Sequence, residues 1–133
     1  MEYLIGAVLA IVVFAFAILA KVDQRVFYPL LVFIVALFYI LFAAMGDSLP
    51  ALTVEAFVAG LFLLLAVAGF KKNLWFVVAA LAGHGLFDLS HHLLIYNPRV
   101  PPWWPGFCLA FDILSSAFLA ILLMRRSRSA RII

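Results

Sequence analysis

Five apolar stretches, at 3–20, 26–44, 51–70, 74–96 and 106–124, follow one another with only short polar interruptions. Each is long enough to cross about 30 Å of hydrocarbon at about 1.5 Å of helix rise per residue. The chain is 69% hydrophobic and 11% charged, whereas soluble domains are about half apolar and about a quarter charged. The expectation is therefore an all-α integral membrane bundle of five transmembrane helices, a single domain over 1–133 without a linker. Short connections imply that consecutive helices run antiparallel as neighbours. Glu2 precedes the first stretch and Lys21 and Arg25 follow it, the reverse of a secretory signal, so it reads as a retained helix. The lone Cys108 excludes an intramolecular disulfide framework.

The net charge is +3, but the placement of the charges says more. With five crossings, one face of the membrane receives Lys21, Arg25, Lys71, Lys72, Arg125, Arg126, Arg128 and Arg131, and the other only Arg99. The positive-inside rule then puts the N-terminus outside and the C-terminus in the cytoplasm. The arginine-rich tail directly after an apolar stretch reads as an orientation signal that attracts anionic lipid; no nucleic-acid partner is expected.

All three histidines lie in one segment of the fourth stretch, His84-x3-Asp88-x2-His91-His92. On a helix these four positions fall within an arc of about 100°, facing one neighbour. Ionisable side chains in hydrocarbon are costly unless paired or metal-bound, so they mark function by default. Counting about 1.5 Å per residue from the expected outer ends, His92 lies about 6 Å deep, Glu55 and Asp112 about 7–9 Å, Asp88 about 12 Å and His84 about 18 Å. Three helices thus bring carboxylates and imidazoles to overlapping depths, as bundles do when they build metal sites.

The expected metal ligands are drawn from His84, Asp88, His91, His92 and Asp112, with Glu55 or Asp112 taking a proton during catalysis. His84 and His92 are separated by about 12 Å of helix rise, too far for one ion on a straight helix. Either Asp88 joins His91 or His92 and is completed by Asp112 or Glu55, leaving His84 as a deeper proton partner, or two ions share Asp88. Gly83 and Gly85 beside His84 would permit bending or close helix approach. The nitrogen and oxygen donors suit a divalent metal, zinc first and non-haem iron second. Cys108 reads as a packing residue.

The connection at 97–106, rich in proline with Trp103 and Trp104, is expected over the cluster as a rigid cover or interfacial anchor. Asn97-Pro98 should end the fourth helix. Asp47 and Ser48 should cap the third.

Together, Glu55, the His84–His92 motif, the proline-containing connection and Cys108-x3-Asp112 resemble a family of small bacterial integral membrane proteins known only by a domain-of-unknown-function label. The likeness runs from the second helix to the fifth, with Arg25 and Phe27 in register. It implies the site residues and a bacterial cell-membrane location, and implies nothing of the reaction. A looser likeness, in ligand chemistry alone, is to the alkaline ceramidase and adiponectin-receptor intramembrane zinc hydrolases. This chain departs from them in having five stretches rather than seven, its histidines on one helix and no serine clearly placed beside the metal. The double histidine is also similar to the boxes of membrane desaturases, which are richer in histidine and face the cytosol.

The leading expectation is a metal-dependent membrane hydrolase acting on a lipid or amphiphile from the outer leaflet, its site facing the extracytoplasmic side. The alternatives are a proton or metal-ion binding or transport protein, as a homo-oligomer or as an accessory subunit of a larger complex, and a haem protein with two axial histidines.

Overall fold

In a computed structural model describing residues 1–132, the chain forms five helices: α1 (Glu2–Leu19), α2 (Gln24–Met45), α3 (Leu49–Lys71), α4 (Trp75–Leu94) and α5 (Trp104–Ile132). No strand occurs among the described residues. Four of the helices, α1, α2, α3 and α5, are long and apolar enough to cross a membrane. α4, with 20 residues, is less apolar because it carries His84, Asp88, Ser90, His91 and His92.

Local chemistry sets the helix ends. Lys21 turns the chain after α1 in the left-handed region at φ 52°, and the Asp23 side chain accepts from the Arg25 N–H at 3.0 Å to start α2. Ser48 caps α3, its hydroxyl accepting from the Ala51 N–H at 3.4 Å. Asp47 makes the preceding left-handed turn at φ 51° instead of sharing the cap. α4 ends at Leu94, with Ile95 extended, three residues ahead of Asn97-Pro98, where the pre-proline restriction alone would have stopped it. α5 starts earlier and runs further than the apolar stretch at 106–124. No glycine or proline follows Gly106 and arginine is a good helix former, so the basic tail stays helical.

The helices do not all pack in chain order. α2 lies on α3, α3 on α4 and α4 on α5, but α1 packs along α5 rather than α2. Gly6 permits this: a Cβ there would collide with the Phe107 carbonyl oxygen, so only glycine allows this backbone-to-backbone crossing, and buried Ala10 and Ala17 continue the same small-residue face.

One end of the bundle carries Trp103 and Trp104, the other Lys71, Lys72 and the arginines of α5. The arginine-end half has an apolar core to which all five helices contribute: Phe14, Tyr28, Val32, Ala66, Val77, Ala80, Leu81 and Leu119. In the tryptophan-end half the interior is polar, with Glu55, His84, Asp88, His91 and Asp112 all buried. The exterior is the reverse, Phe57 being 69% exposed, Leu64 68% and Leu86 61%. Carboxylates inside and large apolar side chains outside suit hydrocarbon surroundings.

Candidate metal centre

Two polar groups, joined by one tyrosine, fill the tryptophan-end half. In the first, His84 Nδ1 lies 2.7 Å from Asp112 Oδ2 and 3.4 Å from Asp88 Oδ2. His84 and Asp88 are one helical turn apart on α4, and Asp112 comes from α5. Each of the three offers a ligating atom within 4.8 Å of the other two. All three are buried, the two aspartates completely. Gly85 makes the meeting possible: its position for a Cβ is 3.0 Å from Ile113 Cδ1 and 3.4 Å from Asp112 Cβ, so α4 and α5 touch where His84 and Asp112 face each other.

In the second group, His91 Nε2 is 2.6 Å from Glu55 Oε1. The Asn97 amide donates to the same Glu55 oxygen at 3.1 Å and to the Tyr39 carbonyl at 3.2 Å. Tyr39 links the groups. Its hydroxyl donates to Asp88 Oδ1 at 2.6 Å, and its ring stacks on His91 with centroids 4.0 Å apart and planes 13° from parallel.

Several buried acceptors lack a hydrogen-bond partner among the described residues. Asp88 Oδ2 and Asp112 Oδ1 make no hydrogen bond, and neither do Glu55 Oε2, Asn97 Oδ1 and the Ser115 hydroxyl. Native interiors rarely leave such atoms unpaired, and a bound ion or water commonly supplies the missing partner. The charge balance points the same way. With both carboxylates ionised, a single imidazole, even a protonated one, leaves a negative charge uncompensated, whereas a dication beside neutral His84 makes the group neutral.

A cavity of about 370 Å³ reaches this region from the surface. Asp88, His91 and His92 form one side, and Asn97, Val100 and Pro101 of the connection form another. The connection therefore walls the cavity as well as lying over the cluster.

Of the sequence-predicted residues, His84, Asp88 and Asp112 come together as one group, and His91 and Glu55 as a pair. His92 stands apart: it sits at the edge of the helical arc, is exposed and reaches only the cavity wall. Glu55 is buried inside the bundle, not a solvated carboxylate at a helix start.

His84 also departs from the position expected by depth counting, which set it well below Asp112. From the observed ends, Leu94 and Trp104, His84 lies about 15 Å in and Asp112 about 12 Å. The gap closes because α4 ends earlier and α5 begins earlier than the apolar stretches suggested. Tyr39 and Asn97 are the participants that sequence reasoning missed. Asn97 looked like a helix stop, and Tyr39 sits singly in an apolar run, where no spacing marks it.

Cys108 is buried and belongs to neither group. Comparison with protein-family models, curated proteins and solved structures found no match for the chain.

Proposed function

We propose that this protein is a membrane-embedded, metal-dependent hydrolase that cleaves an ester or amide bond of a lipid or other amphiphile, with a divalent ion held by His84, Asp88 and Asp112. The observation that carries the reading is the buried His–Asp–Asp group with two carboxylate oxygens that accept no hydrogen bond among the described residues. Imidazole nitrogen with carboxylate oxygen suits zinc first and non-haem iron second. Such an ion, when bound, polarises a carbonyl oxygen and acidifies water.

The chain's own residues supply the rest. His91 borders the cavity and accepts the proton that water loses as its oxygen bonds to the carbonyl carbon. When the C–O or C–N bond breaks, His91 returns that proton to the leaving group. A general base is worth about 10²–10⁴-fold, and Glu55 holds His91 in orientation for that role and balances its charge.

The reading includes α4 as a fifth crossing, the N-terminus and tryptophan end outside, and the C-terminus in the cytoplasm. Its support is the packing of α4 between α3 and α5 and the gathering of basic residues at one end of the bundle. The apolar core at the arginine end weighs against conduction through the bundle. Aromatic rings against both buried imidazoles, Phe62 at 4.8 Å from His84 and Tyr39 at 4.0 Å from His91, leave little room for haem.

The test is turnover of lipid esters and amides by purified protein in zinc-containing and chelator-containing buffer. Chelation should abolish turnover and zinc should restore it, and Glu55→Gln should lower turnover at least 100-fold with the metal retained. Turnover indifferent both to chelation and to His84→Ala would refute the mechanism.

A further inference from the structure

α1 is drawn onto α5 by the Gly6 crossing, and α2 packs on α3. The two helices diverge toward the tryptophan end, leaving a groove of about 650 Å³. Leu9 and Val13 form one wall, Ile34 and Phe38 the other, and Cys108 and Phe111 the floor. At the arginine end it is closed by Phe14 of α1 stacked on Tyr28 of α2, centroids 5.1 Å apart. At the tryptophan end Glu2 stands in the walls of both this groove and the polar cavity.

We propose that the groove seats one acyl chain of a bilayer lipid, drawn from the leaflet at the tryptophan end. Four helices of this bundle are long and apolar enough to cross a membrane, so hydrocarbon surrounds the groove. Its lining offers water almost nothing to bond, and an apolar space of this size does not stay empty beside liquid hydrocarbon. Its length fits one leaflet. From Glu2 to Val13 the wall runs about 16 Å at 1.5 Å per residue, against about 15 Å for half of a ~30 Å hydrocarbon core.

A helix from a second copy is about 10 Å across, far wider than one extended acyl chain, and is the competing occupant that the experiment separates. Placing the ester end of the lipid at Asp88 and His91 rests on the hydrolytic reading above; the seat for the chain does not.

The experiment reconstitutes the full chain in bilayers doped with phosphatidylcholine carrying a mid-chain diazirine, and maps the photo-crosslinks by mass spectrometry. Labelling of Leu9, Val13, Ile34 and Phe38 should exceed that of the exposed α3 face at Phe57, Leu61 and Leu64 at least fivefold. Leu9→Trp and, from the opposite wall, Ile34→Trp should each cut the groove signal at least fivefold and leave the α3 signal unchanged.

Even labelling of both faces, groove labelling that survives both tryptophan variants, or crosslinks between copies that Leu9→Trp abolishes would each overturn the seat. Groove labelling without any lipid turnover would leave the seat standing and remove the hydrolytic reading. Chelator-sensitive turnover without groove labelling would do the opposite.

Discussion

Asp112→Asn changes one atom of the candidate metal centre and little of its shape, so its effect should depend on whether an ion is present. With a divalent ion bound, two carboxylates and a neutral imidazole balance the charge; the variant leaves one positive charge uncompensated in an interior where Asp88 and Asp112 are fully buried. Removing one partner from a buried ionic group costs about 3–5 kcal/mol. At about 1.4 kcal/mol per tenfold, the affinity for zinc should fall by roughly two to three and a half orders of magnitude.

The metal-free protein should respond differently. The variant amide oxygen still accepts from His84 Nδ1 across the present 2.7 Å, and a carboxylate that lacked a counter-charge is gone, so the cost should stay within about 1 kcal/mol, the scale of one net hydrogen bond. Thermal unfolding in detergent, with zinc at about 100 times its dissociation constant and again with chelator, separates the cases. Wild type should gain about 2.7 kcal/mol from the metal and Asp112→Asn almost nothing. Equal destabilisation in zinc and in chelator would mean that the group is only an ion pair, and the metal site would be refuted.

Tyr39→Phe should keep the stack on His91 but strip Asp88 Oδ1 of its donor, costing about 1–3 kcal/mol of stability, measurable as a drop in unfolding temperature in chelator. Gly85→Leu should force α4 and α5 apart at Ile113 and Asp112 and reduce bound zinc at least tenfold by elemental analysis; Gly85→Ala, whose Cβ is tight only against the movable Ile113 side chain, at 3.0 and 3.1 Å, and meets Asp112 Cβ at an ordinary contact distance of 3.4 Å, should retain it. His92→Ala should leave metal content unchanged because His92 is exposed and outside the group of ligands, whereas His84→Ala should abolish it. Equal metal loss in the two histidine variants would overturn the assignment of ligands.

Helix number and much of each helix boundary were legible because hydrophobic runs and proline or serine punctuation act locally. The apolar stretch at 51–70 became α3 at Leu49–Lys71, extended by the Ser48 cap. The motif on α4 was legible for the same reason. A period of 3.6 residues fixes which side chains share a face, and His84, Asp88 and His91 do turn inward together.

The amino-acid sequence alone determined a helical bundle with an apolar exterior and a polar stripe on its fourth helix, since burial cost and helical periodicity need no knowledge of neighbours. Tertiary structure alone decided the partners: Asp112 for His84, Glu55 for His91, a bridging Tyr39, and α5 rather than α2 for α1. Those choices depend on how far each helix is shifted along its axis and rotated about it. Close contacts at Gly6 and Gly85 set both quantities, and no count along the chain can supply them.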